Sequence, residues 1–158
     1  MNNKIKSVLF VCTGNSCRSV MAEGLLKKRL LELGKDDVKV SSAGTIGLDG
    51  LPPMEETIDT LKAQGIAMDD FRSRSVTVEM IKRSDLILAM EDLHKDEILR
   101  MAPEAAGKTF LLKEFGQPGA GNDREGSGVP DPIGRQIEFY KHVLNMIKKE
   151  VRRIAELL

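Results

Sequence analysis

The stretch that constrains this chain most is Val8-Leu9-Phe10-Val11-Cys12-Thr13-Gly14-Asn15-Ser16-Cys17-Arg18-Ser19. There an apolar run ends in a cysteine, and a polar, glycine-bearing loop leads into a helical pattern. Physically this reads as a strand, a tight loop and a helix N-terminus. Five residues separate Cys12 from Arg18. That spacing lets the backbone curl until its amide hydrogens converge on one anion above the Cys12 sulfur, with the helix N-terminus adding partial positive charge.

The rest of the chain alternates between two periods. Residues 5–11 form a nearly continuous apolar and β-branched run, which suits a strand buried on both faces. Ala22, Leu25, Leu26, Leu30 and Leu33 then recur at helical spacing, and Gly34 supplies a left-handed stop. Residues 38–44 read as a second strand that breaks at Gly44. After a loop over 47–53, Pro52-Pro53 opens a helix with Glu55 and Glu56 in its first turn, Met54, Ile58 and Leu61 on its apolar face, and Gly65 at its end. A short helix over 78–83, a buried strand over 85–90, a helix over 91–101 stopped by Pro103 and a strand over 109–112 follow. Residues 116–128 are rich in glycine and polar residues and read as a mobile surface loop.

A last helix is expected from Ile133 or Gly134. Ile133, Ile137, Tyr140, Leu144, Ile147, Val151, Ile154 and Leu158 step by fours and threes, a stripe suited to docking on the sheet or, as the rival reading, to a coiled-coil dimer. The whole predicts one α/β domain over 1–158: three αβα layers around a four-stranded parallel sheet, with a phosphate-binding loop after the first strand. In such sheets ligands bind beyond the carboxyl ends of the strands, where Cys12 stands.

Bulk properties exclude several classes. The 24 basic and 24 acidic residues cancel, so no global field draws the chain to nucleic acid or an anionic membrane. No apolar run approaches the roughly 20 residues of a bilayer span, and Met1-Asn2-Asn3-Lys4 does not resemble a signal peptide. A cytoplasmic location is the default. The two cysteines both lie in the opening loop, which suits free thiols in a reducing compartment. His94 and His142 lack a metal-ligand pattern, and His94 reads as a surface helix residue. No metal or cofactor is expected.

The loop's chemistry follows from its residue types. A Cys12 thiolate is stabilised by the same partial charges that bind phosphate, and the Arg18 fork pairs two phosphoryl oxygens. Gly14 is expected to supply unusual dihedrals, Asn15 to tie the loop internally, and Ser19 to donate to the Cys12 sulfur. A leaving group needs a proton. Asp131, held between Pro130 and Pro132, is the candidate general acid and then the base that activates water.

Together these residues resemble the low-molecular-weight protein tyrosine phosphatase family, including its bacterial type and its protein-arginine phosphatase branch. Its signature, a cysteine, five residues and Arg-Ser, stands here as Cys12 to Ser19, continued by Met21-Ala22-Glu23. The similarity extends to Ser42-Ala43-Gly44, the strand over 85–90 and Asp131-Pro132. The resemblance implies a two-step, metal-free hydrolysis of phosphotyrosine, with Cys12 as nucleophile, Arg18 as clamp and Asp131 as acid and base. Thr13, Gly14, Asn15, Ser16, Cys17, Arg18 and Ser19 would surround the phosphate, and Ser42 would support the loop. It also implies a reversible disulfide between Cys17 and Cys12. The expected partner is a phosphorylated protein or a small aryl phosphate, and the chain is expected to be a monomer or weak homodimer.

Three departures bear on the leaving group. Ile133 and Gly134 follow Asp131-Pro132 where tyrosine-directed relatives often carry aromatics, and residues 47–53 contain none. Ser16 carries a hydroxyl, as the protein-arginine phosphatase branch does with threonine. Phosphoarginine is therefore the alternative substrate. Arsenate reduction fits less well, since no cysteine follows Cys17. Arg18 and Asp131 disfavour a cysteine phosphocarrier, and a non-catalytic phosphate-binding protein is the remaining class.

Overall fold

The computed structural model describes residues 4–117 and 127–158. Four strands, β1 (Ser7–Cys12), β2 (Lys39–Gly44), β3 (Leu86–Ala89) and β4 (Thr109–Leu111), form one parallel sheet in the order β2-β1-β3-β4. The helices are α1 (Arg18–Glu32), α2 (Glu55–Lys62), α3 (Val78–Arg83), α4 (Asp92–Met101) and α5 (Ile137–Leu157). The fold class is as the sequence predicts. Most of the expected loop over 116–128 lies outside the described residues, as do residues 1–3.

Alternation along β1 explains the layers. Val8 and Phe10 point into one core with Val20, Leu26, Leu144, Ile147 and Val151, so α1 and α5 cover that face. Leu9 and Val11 point to the other, against Ile81 of α3 and Ile98 of α4. Because β1 and β3 are covered on both faces, their sequences carry no polar side, and each fully buried Leu, Ile or Phe contributes roughly 1.5–3 kcal/mol.

Three boundaries differ from expectation. Helix α5 begins at Ile137, not at Ile133 or Gly134: Gly134 has φ 84° and Arg135 N–H closes a turn onto the Pro132 carbonyl at 2.9 Å. Ile133 is consequently 47% exposed and leaves the stripe, whose members from Tyr140 to Ile154 are buried. Helix α2 starts at Glu55 and buries Thr57, Thr60 and Leu61, with Ile58 half-buried, because α1 and α5 approach it from that side. Asp85 stands before β3 and uses its carboxylate to accept the amides of Lys6, at 2.8 Å, and Ser7, at 3.1 Å.

Strand order sets where a site can form. From β1 the chain crosses by α1 to β2 on one side, whereas β3 crosses by α4 to β4 on the other. The connections therefore diverge between β1 and β3, leaving a crevice at their carboxyl ends. The loop after β1 and the first turn of α4 face each other across it.

Candidate active site

Residues 13–17 leave β1 at Cys12 and enter α1 at Arg18, the sequence-predicted order. The loop is tied outward through carbonyls. Cys12 C=O accepts from Thr45 N–H at 2.9 Å, Thr13 C=O from Ile46 N–H at 3.0 Å, and Ser16 C=O from Met54 N–H at 3.0 Å. With its carbonyls turned out, the loop can turn amides inward, which is the geometry an anion needs.

Close approach of β2 requires Gly44. A Cβ there would sit 2.5 Å from the Thr13 carbonyl oxygen and 3.0 Å from the Asn15 nitrogen. Gly14, expected to supply the loop's unusual dihedrals, does not carry its left-handed conformation, and a Cβ at that position would meet only Ser16 Oγ at 3.5 Å. Asn15 carries it instead, with φ 54°. Asparagine tolerates this region better than most side-chain-bearing residues, and here three hydrogen bonds fix it. Its Nδ2 donates to Ser19 Oγ at 2.8 Å and Ser42 Oγ at 3.0 Å, and its Oδ1 accepts from Arg74 N–H at 3.0 Å.

That arrangement orients Ser19. Since Ser19 Oγ accepts from Asn15, its own hydrogen is free to point at Cys12 Sγ, 2.9 Å away. Ser42 likewise accepts from Asn15 and donates to Glu23 Oε1 at 2.7 Å, and Lys27 Nζ donates to Glu23 Oε2 at 2.8 Å. A buried polar chain thus runs from Cys12 through Ser19, Asn15 and Ser42 to Glu23. Each member is satisfied by the next.

Arg18 is 3% exposed. Its Nη1 donates to Glu91 Oε1 and to the Val129 carbonyl, the latter at 2.9 Å. Its Nη2 lies 3.7 Å from Asp131 Oδ2. Val129 is buried and its N–H donates to the Met90 carbonyl at 2.8 Å, so the segment bearing Asp131 is anchored to the end of β3. Asp131 itself is 44% exposed at the mouth, and its Oδ1 accepts from Ile133 N–H at 3.0 Å.

His94 is a correction to the sequence reading. It is fully buried, not a surface residue, and its Nε2 lies 2.8 Å from Thr13 Oγ1. Burial, with the Arg18 guanidinium in support and Asp131 opposing, holds its pKa down to about 4. Cys12 and Cys17 are both free and buried. Burial pushes the Cys17 thiol up to about 12, so Cys17 is a neutral thiol at physiological pH. Among the described residues no group of three or more His, Cys, Asp or Glu side chains is arranged to hold a metal. No helix among them is long and apolar enough to cross a membrane.

The structure therefore brings Cys12, Thr13, Asn15, Arg18, Ser19, Ser42 and Asp131 together, and adds Glu23, Arg74, Glu91, His94 and the Val129 carbonyl. Glu91 and His94 carried a sequence signal: an acidic residue three positions before a histidine, at the start of a helix directly after a buried strand.

Residues 7–158 match the family described as "Low molecular weight phosphotyrosine protein phosphatase". The chain is 38% identical over 155 residues to the low molecular weight protein-tyrosine-phosphatase Etp of Escherichia coli (strain K12), covering 98% of this chain and 96% of that protein. It is 38% identical over 151 residues to a protein-arginine-phosphatase of Geobacillus stearothermophilus, covering 96% and 95%. Among solved structures, the low molecular weight protein tyrosine phosphatase from T. tengcongensis superposes with a TM-score of 0.86 at 38% identity, covering 96% of this chain and 99% of that one. Fold, loop and sequence agree: the chain belongs to the low molecular weight phosphotyrosine protein phosphatase family.

Proposed function

We propose that the protein is a cysteine-dependent phosphatase that hydrolyses phosphotyrosine in a protein, or a small aryl phosphate, through a cysteinyl-phosphate intermediate. The observation that carries this reading is the Ser19 hydroxyl aimed at Cys12 Sγ at 2.9 Å, in a loop whose buried Arg18 faces the exposed Asp131 carboxylate at 3.7 Å. In the first step the Cys12 sulfur attacks phosphorus, the bond from phosphorus to the ester oxygen breaks, and Asp131 gives that oxygen its proton. In the second, Asp131 takes a proton from water, the water oxygen attacks phosphorus, and the sulfur leaves as thiolate with Ser19 donating to it.

Arg18 fits the role of clamp because Nη1 is already held by Glu91 and Val129. Nη2 then faces the incoming oxygens with its position fixed. The amides of Thr13, Gly14, Asn15, Ser16 and Cys17 complete the cradle, and Ser42 supports it through Asn15. Every proton and charge role has a protein group, so the scheme is metal-free. The Cys12→Ser variant is expected to lose turnover of p-nitrophenyl phosphate while melting like the parent; full turnover would sink the assignment.

A second reading keeps this chemistry and changes the leaving group. Ser16 presents a hydroxyl, and the segments flanking the loop carry exposed Ile46, Leu48, Leu51 and Ile133, with no aromatic ring to stack on phenyl. Phosphoarginine is its substrate. Rates on matched phosphotyrosine and phosphoarginine peptides decide between them, and a preference above about tenfold, roughly 1.4 kcal/mol in transition-state stabilisation, for phosphoarginine would displace the first. We place the enzyme in the cytoplasm; the burial of the α5 stripe within one chain supports one domain that is a monomer or weak homodimer, not a coiled-coil dimer.

A further inference from the structure

Thr13, the first residue of the loop, and Arg18, the residue that follows it, are both tied to the start of α4. Glu91 and His94 form a reciprocal cap there: the Glu91 side chain accepts from the His94 amide, and His94 Nδ1 accepts from the Glu91 amide at 3.1 Å. Their remaining capacity points across the crevice, Glu91 to Arg18 and His94 to Thr13. The cap fixes the tautomer. Because Nδ1 accepts, the proton of the neutral ring is on Nε2, and Thr13 Oγ1 is the acceptor.

We propose that His94 is a positioning residue of the phosphate loop: from the cap of α4 it donates through Nε2 to Thr13 Oγ1 and fixes the residue that follows the nucleophile, while Glu91 fixes Arg18. This rests on the phosphatase reading above. Thr13 is bonded directly to Cys12, so freeing its side chain shifts the Cys12 sulfur relative to a phosphorus held by Arg18 and the amides. That costs attack geometry and spares ground-state binding. The low pKa of His94 is consistent with a ring that stays neutral and keeps this donor near pH 7.

Two substitutions separate positioning from capping. His94→Gln puts an amide nitrogen where Nε2 stands and keeps the donor to Thr13, but loses the acceptor for Glu91. His94→Asn puts an oxygen where Nδ1 stands and keeps the cap, but loses Thr13. On the full chain with p-nitrophenyl phosphate, His94→Asn is expected to melt no lower than His94→Gln, yet to lose about tenfold or more in kcat, with the Gln variant within about threefold of the parent. KM should stay within about threefold in both.

Thr13→Val should lower kcat as His94→Asn does, and combining the two should cost less than about twofold more than the worse single change. A kcat for His94→Asn equal to or above that of His94→Gln, or full additivity with Thr13→Val, would overturn the proposal. Parental turnover of p-nitrophenyl phosphate tests the phosphatase reading separately, so the two failures are distinguishable.

Discussion

At the scale of single residues, the site depends on side chains each held by several hydrogen bonds. Asn15 shows this best: its left-handed backbone would cost most residues more, and its amide both holds that conformation and directs the Ser19 hydrogen at sulfur. The residue types of Cys12, Asn15, Arg18, Ser19 and Asp131 were legible in the sequence because their chemistry is local to a short loop or to a proline-framed carboxylate. The left-handed position of the loop falls on Asn15 and not on Gly14, because an asparagine with three partners holds that conformation as a glycine would. Asp131→Asn should slow turnover of p-nitrophenyl phosphate by roughly 100-fold or more while leaving inhibition by inorganic phosphate near the parental value. Loss of phosphate inhibition would instead make Asp131 a binding group. His94, with a folded pKa of about 4 against an ordinary 6.5, makes stability depend on pH. The unfolded chain takes up its proton as pH falls through 6.5 and the folded chain resists until about 4, so the contribution is complete above pH 6.5 and lost toward pH 4. Thermal melts between pH 7 and pH 4 should therefore show a smaller decline for His94→Gln than for the parent.

At the scale of elements, apolar period located the strands and helices, and backbone chemistry set their ends. The β1 and β3 runs were unmistakable because both faces are covered. The α5 stripe was legible over most of its length, but its start was not, since Gly134 in a left-handed turn interrupts a hydrophobic spacing that continues through Ile133. The stripe meets α1 and α2 inside the chain, with Ile147 completely buried. Ile147→Ala is expected to destabilise the fold by about 2–5 kcal/mol in urea denaturation, with no change in KM at temperatures where it is folded. A loss under about 0.5 kcal/mol would mean the core is not organised around this helix.

At the scale of the whole molecule, the site is made by strand order. Arg18 meets Glu91, Thr13 meets His94, and Arg18 meets Val129 across 73, 81 and 111 residues of chain. No local pattern reports such pairings: the sequence marks Glu91 and His94 as the start of a helix after a buried strand, not as partners of Arg18 and Thr13. The sheet order β2-β1-β3-β4 sends the β1 and β3 connections apart and leaves the phosphate loop facing α4. In the proposed function this crevice runs a phosphoryl transfer through the Cys12 sulfur. Its most direct test is peptide mass spectrometry on the wild-type protein, acid-quenched while it turns over p-nitrophenyl phosphate. Phosphate is expected on Cys12, appearing with turnover and absent without substrate. Sustained turnover with Cys12 unmodified, or with phosphate on another residue, would contradict it.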